Sequence, residues 1–181
     1  MSTYRRARTP GGTYFFTVVT FGRRKIFADP LARTLLRAAI TEVRQHHPFT
    51  IDAWVLLPEH LHCVWTLPSD DRDFSIRWGR IKAGFTKRAR GLFHKPELLT
   101  DSRKKHRDST IWQRRFWEHE IRNDDDYRRH VDYIHYNPVK HGLVVRVRDW
   151  PYSTFHRLVR EGVYPADWGQ QPDLPPDMAG E

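Results

Sequence analysis

Cysteine is almost missing from this chain. Cys63 stands alone among 181 residues, which excludes an intrachain disulfide framework and fits a reducing, cytoplasmic setting. Long apolar runs are missing as well, and none approaches the ~18 residues of a membrane span. The stretch from Tyr14 to Phe21 is short, β-branched and aromatic, and Arg23-Arg24-Lys25 follows it without a small-residue cleavage site, so it reads as a strand rather than a leader. No internal repeat is visible. Acids are scarce in two places. None precedes Asp29, where Arg5, Arg6, Arg8, Arg23, Arg24 and Lys25 lie, and between Arg77 and Arg115 only Glu97, Asp101 and Asp108 face 13 Lys and Arg.

That second region holds a local excess of ten positive charges against +9 for the whole chain, so the remainder is close to neutral. Trp78, Phe85, Trp112, Phe116 and Trp117 are interleaved with the cations. Such a mixture suits a polyanion with stackable bases, although a solvated basic face has the same composition. The length fits one domain with a sizeable core, and seven Trp, ten Phe and seven Tyr can fill it.

The hydrophobic pattern gives an element order. Tyr14 to Phe21 is a first strand bounded by Gly11-Gly12 and Gly22. Asp29 as N-cap and Pro30 at the first helical position open a helix to about His46, with Leu31, Leu35, Ala39 and Val43 along one face. Two strands follow, Thr50 to Leu57 and His60 to Leu67, and the short Pro58-Glu59 link makes them an antiparallel hairpin. Asp73 caps a second helix that buries Phe74, Trp78, Ile81 and Phe85 and offers Arg77, Arg80, Lys87 and Arg88 to phosphate. Leu92 to Asp108 has no clear period and reads as a mobile basic loop. Ile111 to Ile121 is a fourth strand, and Asn123 with three aspartates starts another helix. The predicted fold class is α+β: a ferredoxin-like antiparallel sheet with helices on one face and a C-terminal tyrosine-bearing helix. From Trp150 one short helix is expected, with Tyr152, Phe155, Leu158 and Val159, then a tail with Pro172, Pro175 and Pro176.

Strand alternation puts His60 and His62 on one face with Val64 and Thr66, and the apolar Leu61, Cys63, Trp65 and Leu67 on the other. The apolar set must meet the helices, which leaves two imidazoles on the open face, able to converge on one divalent cation. A pair of this kind is unspecific in a chain with 11 histidines. More weight rests on the last helix, where His130, Tyr133 and Asn137 share a stripe and Tyr127, Val131 and Ile134 form an apolar one beside it. Read alone, Tyr133 is more readily an ordinary half-buried aromatic than a nucleophile. Pro138 also makes Asn137 a candidate helix-end residue.

Four separated segments then match a known family in order: LPEHLHCVWTLP (Leu57 to Pro68), RFWEHEIR (Arg115 to Arg122), HVDYIHYNPVKHGLV (His130 to Val144) and WPYSTFHR (Trp150 to Arg157). Over residues 4–168 the chain resembles the REP-associated tyrosine transposases, a branch of the single-tyrosine HUH transposases of bacterial insertion sequences. The resemblance implies an HUH domain over 1–149 and a C-terminal extension over 150–181. It makes His60, His62 and Asn137 ligands of Mg²⁺ or Mn²⁺, and Tyr133 the nucleophile, with Tyr136 a competitor by chemistry only. The implied partners are single-stranded DNA hairpins of the REP palindrome type, met by a monomer at the nucleoid. Tyr4, Arg5, Arg6, Arg77, Arg80, Lys87, Arg88, Arg114, Arg115, Lys140 and His141 are the candidate DNA contacts. His130 and His135 are candidate general bases. Three other readings stand beside this one: a non-catalytic nucleic-acid-binding module, a metal-dependent nuclease that uses water, and a structural basic protein.

Overall fold

The computed structural model describes residues 9–106 and 108–169. Tyr4, Arg5, Arg6 and the proline-bearing tail lie outside the described residues. Four strands, β1 (Thr13–Val19), β2 (Thr50–Leu56), β3 (His60–Thr66) and β4 (Trp117–Glu120), form one sheet in the order β2-β3-β1-β4. Every pairing is antiparallel. The helices are α1 (Pro30–His46), α2 (Phe74–Phe93), α3 (Asp101–Lys105), α4 (Asp124–Lys140) and α5 (Phe155–Arg160). The ferredoxin-like α+β expectation holds. Among the described residues no helix is long and apolar enough to cross a membrane.

Local signals set most boundaries. The Asp29 carboxylate accepts from the Leu31 N–H at 2.7 Å and Pro30 occupies the first turn, as the N-cap pattern requires. Ala39 and Val43 of the expected face of α1 are buried, but Ala32, Leu36 and Ile40 complete it in place of exposed Leu31 and half-buried Leu35. The fourth strand is shorter than expected. Among the described residues, the stretch before Trp117 pairs its backbone with the sheet region through a bridge between Thr20 and Trp112, and the Trp112 ring turns into the helix-side core against Phe27 and Phe85.

The basic segment expected to be a mobile loop is instead built. It holds a 3-10 turn, Pro96–Leu98, and α3, which Thr100 caps. Buried Arg103 fastens it, donating to the Ser109 and Trp112 carbonyls and lying 4.0 Å from the Phe21 ring centre. Aperiodicity hid this, because one buried arginine, and no apolar face, organises the segment.

Two cores sandwich the sheet. Leu61, Cys63 and Trp65 join Phe74, Trp78, Ile81 and Phe85 of α2 and the buried stripe of α1. On the opposite face Phe15, Val55 and Val64 pack with Val131, Tyr133 and Ile134 of α4. Residues 152–157 cover the outer edge of β2: the Leu56 N–H donates to the Tyr152 carbonyl, Trp54 and Thr154 exchange bonds, and Arg157 donates to the Ile51 and Asp52 carbonyls.

Candidate functional site

β3 carries the imidazoles by simple alternation. Its residues His60 and His62 pair with Val19 and Thr17 of β1, so the Thr17 hydroxyl meets His62 Nδ1 at 2.9 Å. Both rings are buried, 4.8 Å apart between centres. The Glu59 carboxylate sits 3.1 Å from His60 Nδ1. A carboxylate only accepts, so the His60 proton is held on Nδ1 and Nε2 is the nitrogen that could bind a cation, an arrangement that orients metal-binding imidazoles.

The helix that covers this face is α4. Its opening is over-determined: the Asn123 side chain accepts from the Asp126 N–H and three aspartates meet the positive end of the macrodipole. His130, Tyr133 and Asn137 share a buried stripe against the sheet. The Tyr133 ring centre is 5.2 Å from that of His62, edge to face, with Phe15 packed against both. Asn137 is buried one turn inside the helix, which runs through Pro138 to Lys140, and its carbonyl accepts from the His141 N–H at 3.0 Å. Pro138 has no N–H to give the Ile134 carbonyl, yet the helix continues through it. The open face of the sequence-based expectation is therefore closed by α4.

Two expected DNA contacts adjoin the cluster. The Lys140 ammonium lies 5.0 Å from the Tyr133 ring centre, and the His141 ring 5.3 Å from that of His60. Tyr136 points elsewhere and packs against Trp168. The donor set of two buried imidazoles and a buried side-chain amide fits a divalent cation.

The remaining residues divide. Arg80, Lys87, Arg114 and Arg115 are exposed. Arg88 is exposed but pairs with Glu42 at 2.6 Å, and Arg114 pairs with Asp108. Arg77 is a correction. It is 1% exposed and donates to Asp71 and to the Asp73 and Pro48 carbonyls, so it joins α1 to α2 instead of facing phosphate. The interleaved aromatics are corrected likewise, because Trp78, Phe85 and Trp112 are core; only Trp117 of that set is well exposed.

His135 faces away from the cluster, bonded to Thr154 and packed on Tyr164. Burial, with Arg157 and His156 nearby, lowers its pKa to about 3. His130 belongs to a group that pattern reading missed. The Asp126 carboxylate meets His119 Nε2 at 2.8 Å and His130 Nδ1 at 3.2 Å, and the two rings stack 4.6 Å apart. These donor atoms lie within 4.8 Å of one another, close enough for one cation. His130 Nδ1 is also 2.7 Å from the Asp126 carbonyl, so it carries a proton there, and burial lowers the pKa of the ring. The signal was available as Asp126 and His130 at i and i+4; His119 needed the sheet.

No protein-family model matches the chain. The REP-associated tyrosine transposase of Escherichia coli (strain K12) is 51% identical over 181 residues, covering 100% of this chain and 98% of that protein. The chain belongs to the REP-associated tyrosine transposases. This family of enzymes acting on DNA also includes a Haemophilus influenzae relative that is 47% identical over 174 residues, 96% of this chain and 97% of its own. A solved REP-associated tyrosine transposase, bound to a REP hairpin, superposes with a TM-score of 0.81 at 50% identity over 100% of this chain and 98% of that one. The element order and sheet described above are thus those of a transposase of this family.

Proposed function

We propose that this transposase cleaves and rejoins single-stranded DNA at REP-like hairpins, as a monomer, through a covalent intermediate on Tyr133. The Tyr133 oxygen attacks a backbone phosphorus and the bond from that phosphorus to the 3′ oxygen breaks. The phenol loses its proton, the departing 3′ oxygen gains one, and the 5′ phosphate stays on the tyrosine. A later 3′-OH reverses the step, so no nucleotide cofactor is needed.

One observation carries this reading: α4 brings a buried tyrosine, and no other hydroxyl of that helix, edge-on to His62 beside His60. A free tyrosine ionises near pH ~10, and the Lys140 ammonium lies 5.0 Å from the Tyr133 ring centre. His60, His62 and Asn137 would hold Mg²⁺ or Mn²⁺, which when bound polarises the phosphate and offsets its charge. Glu59 and Thr17 orient the two imidazoles through Nδ1. Exposed Lys140 and His141, beside Tyr133 and His60, would hold phosphate there, and Arg80, Lys87, Arg114 and Arg115 are exposed candidates for contacts further along the DNA.

The test is a denaturing gel after incubation with Mn²⁺ and a pool of labelled hairpin oligonucleotides, run beside Tyr133→Phe. A labelled band at protein mass that the variant lacks is the expected result. Cleaved DNA without an adduct in both proteins would instead identify a hydrolytic nuclease.

A further inference from the structure

A second basic feature lies away from the Tyr133 cluster. A cavity of about 710 Å³ opens between α1, the outer edge of β2 and residues 151–157. Its wall contains Arg33, Arg37, Arg44 and Arg157 and no Asp or Glu, with Trp54 and Tyr152 as aromatic faces. None of His60, His62, Tyr133 or Asn137 lines it. Three of the arginines come from one face of α1, at offsets of four and eleven from Arg33.

The charge in this cavity is mostly uncompensated. Arg33 donates to the Phe27 and Ala28 carbonyls and stacks 4.3 Å over Tyr152; Arg44 donates to the Phe49 carbonyl; Arg157 donates to the Ile51 and Asp52 carbonyls. Carbonyl oxygens position these groups but leave the positive charge standing. Two acids do act on Arg157. Glu161 approaches Arg157 at 3.8 Å, and the Asp52 carboxyl accepts from Thr66. Arg37 is exposed and forms no ion pair among the described residues.

Guanidinium groups without carboxylates beside two π faces match a phosphodiester carrying an unstacked base. The volume falls in the ~300–1,000 Å³ range of small-ligand sites, so it admits a short stretch of strand and excludes a duplex. The position also fits. The cavity opens on the α1 side of the β2 edge, where Trp54 and Leu56 oppose Cys63 and Leu61, whereas Val55 opposes His62 on the α4 side. Ser153 in the wall bridges to Val55 and lies two strand spacings, about 10 Å, from His62, so a strand joins the two by rounding that edge. We infer that this cavity is a second single-stranded DNA subsite, which holds the strand flanking the segment at Tyr133. The choice of DNA over another polyanion rests on the function proposed above.

The experiment uses the full chain and a labelled hairpin with oligothymidine extensions of increasing length on either side of its foot. Binding is followed by anisotropy for the wild type and for a variant carrying Arg37→Glu and Thr41→Glu, both exposed positions in the wall. The variant should bind extended hairpins about tenfold more weakly and the bare hairpin equally well. Its dependence on salt should flatten by about 0.7 in log–log slope for each phosphate that is no longer neutralised. Ultraviolet crosslinking of an iodouracil-bearing extension should label peptides containing Trp54 or Tyr152. Equal affinities for the extended hairpin, or crosslinks confined to other peptides, would overturn the inference. Adduct formation at saturating DNA should not change in the variant. An absent adduct in the wild type would count against Tyr133 chemistry alone, since the anisotropy and crosslinks decide the cavity separately.

Discussion

The two faces of the sheet are made by the same strand and have opposite natures. On the side of α1 and α2, β3 presents Leu61, Cys63 and Trp65 to an apolar core in which Trp65 stacks on Trp78 at 4.2 Å. On the side of α4, it presents His60 and His62 to Tyr133, with only a thin layer of Phe15, Val55, Val64, Val131 and Ile134 around them. Burial is equally deep on both sides. Stability is therefore concentrated on one face, and the other buries polar groups at a cost in folding free energy that the first face offsets. Alternation along seven residues is enough to separate a scaffold from a reaction site.

Substitutions on the two faces should part company. The largest effect belongs to Tyr133→Phe, which should abolish the covalent adduct in the gel assay yet change stability by no more than about 1 kcal/mol, since one hydroxyl is lost at nearly constant volume. Trp78→Ala should do the reverse. It should cost about 3–5 kcal/mol and lower the melting temperature by roughly 10 °C, with adduct yield per folded molecule retained well below the transition; a yield that fell with the Trp78 ring would break the separation.

A smaller effect concerns pH. The unfolded imidazole of His135 gains a proton near pH ~6.5, and the folded one only near 3. Over that window the unfolded state binds more protons, so this residue contributes stability above pH ~6.5 that is lost as pH falls, by roughly 5 kcal/mol in all and about 3 kcal/mol by pH ~4. Denaturant titrations between pH 7 and 4 should show a shallower decline in His135→Leu than in the wild type. Smallest is Thr17→Val. It removes the hydroxyl from His62 Nδ1 and should cost about 1 kcal/mol in stability while weakening Mn²⁺ binding about tenfold, measured by calorimetry. Unchanged Mn²⁺ affinity would mean that packing on Phe15 alone orients the ring.

The scaffold was legible because its signals are local. Asp29-Pro30, the Pro58-Glu59 link and the Phe74, Trp78, Ile81 and Phe85 stripe each state an element directly, and alternation correctly divided β3 between its two faces. The histidine and tyrosine stripes were readable for the same reason. What could not be read depended on partners that no helical or strand period reveals. Arg77 has the spacing of a solvated cation, and only the position of Asp71 and of the Pro48 carbonyl makes it interior. The 92–108 segment lacks an apolar period because Arg103 anchors it through carbonyls. The arginine row of α1 is inconspicuous in the sequence beside the charge excess at 77–115, and Trp54 and Tyr152, about a hundred residues apart, meet only in the folded chain.

The covered rim of β2 bears on how copies of this chain can assemble. Its outward amides and carbonyls from Ile51 to Leu56 are taken up by Tyr152, Thr154 and Arg157, so a second molecule finds no row of unpaired groups there to extend the sheet. Growth of a continuous intermolecular sheet is left with the four residues of β4 at the opposite border.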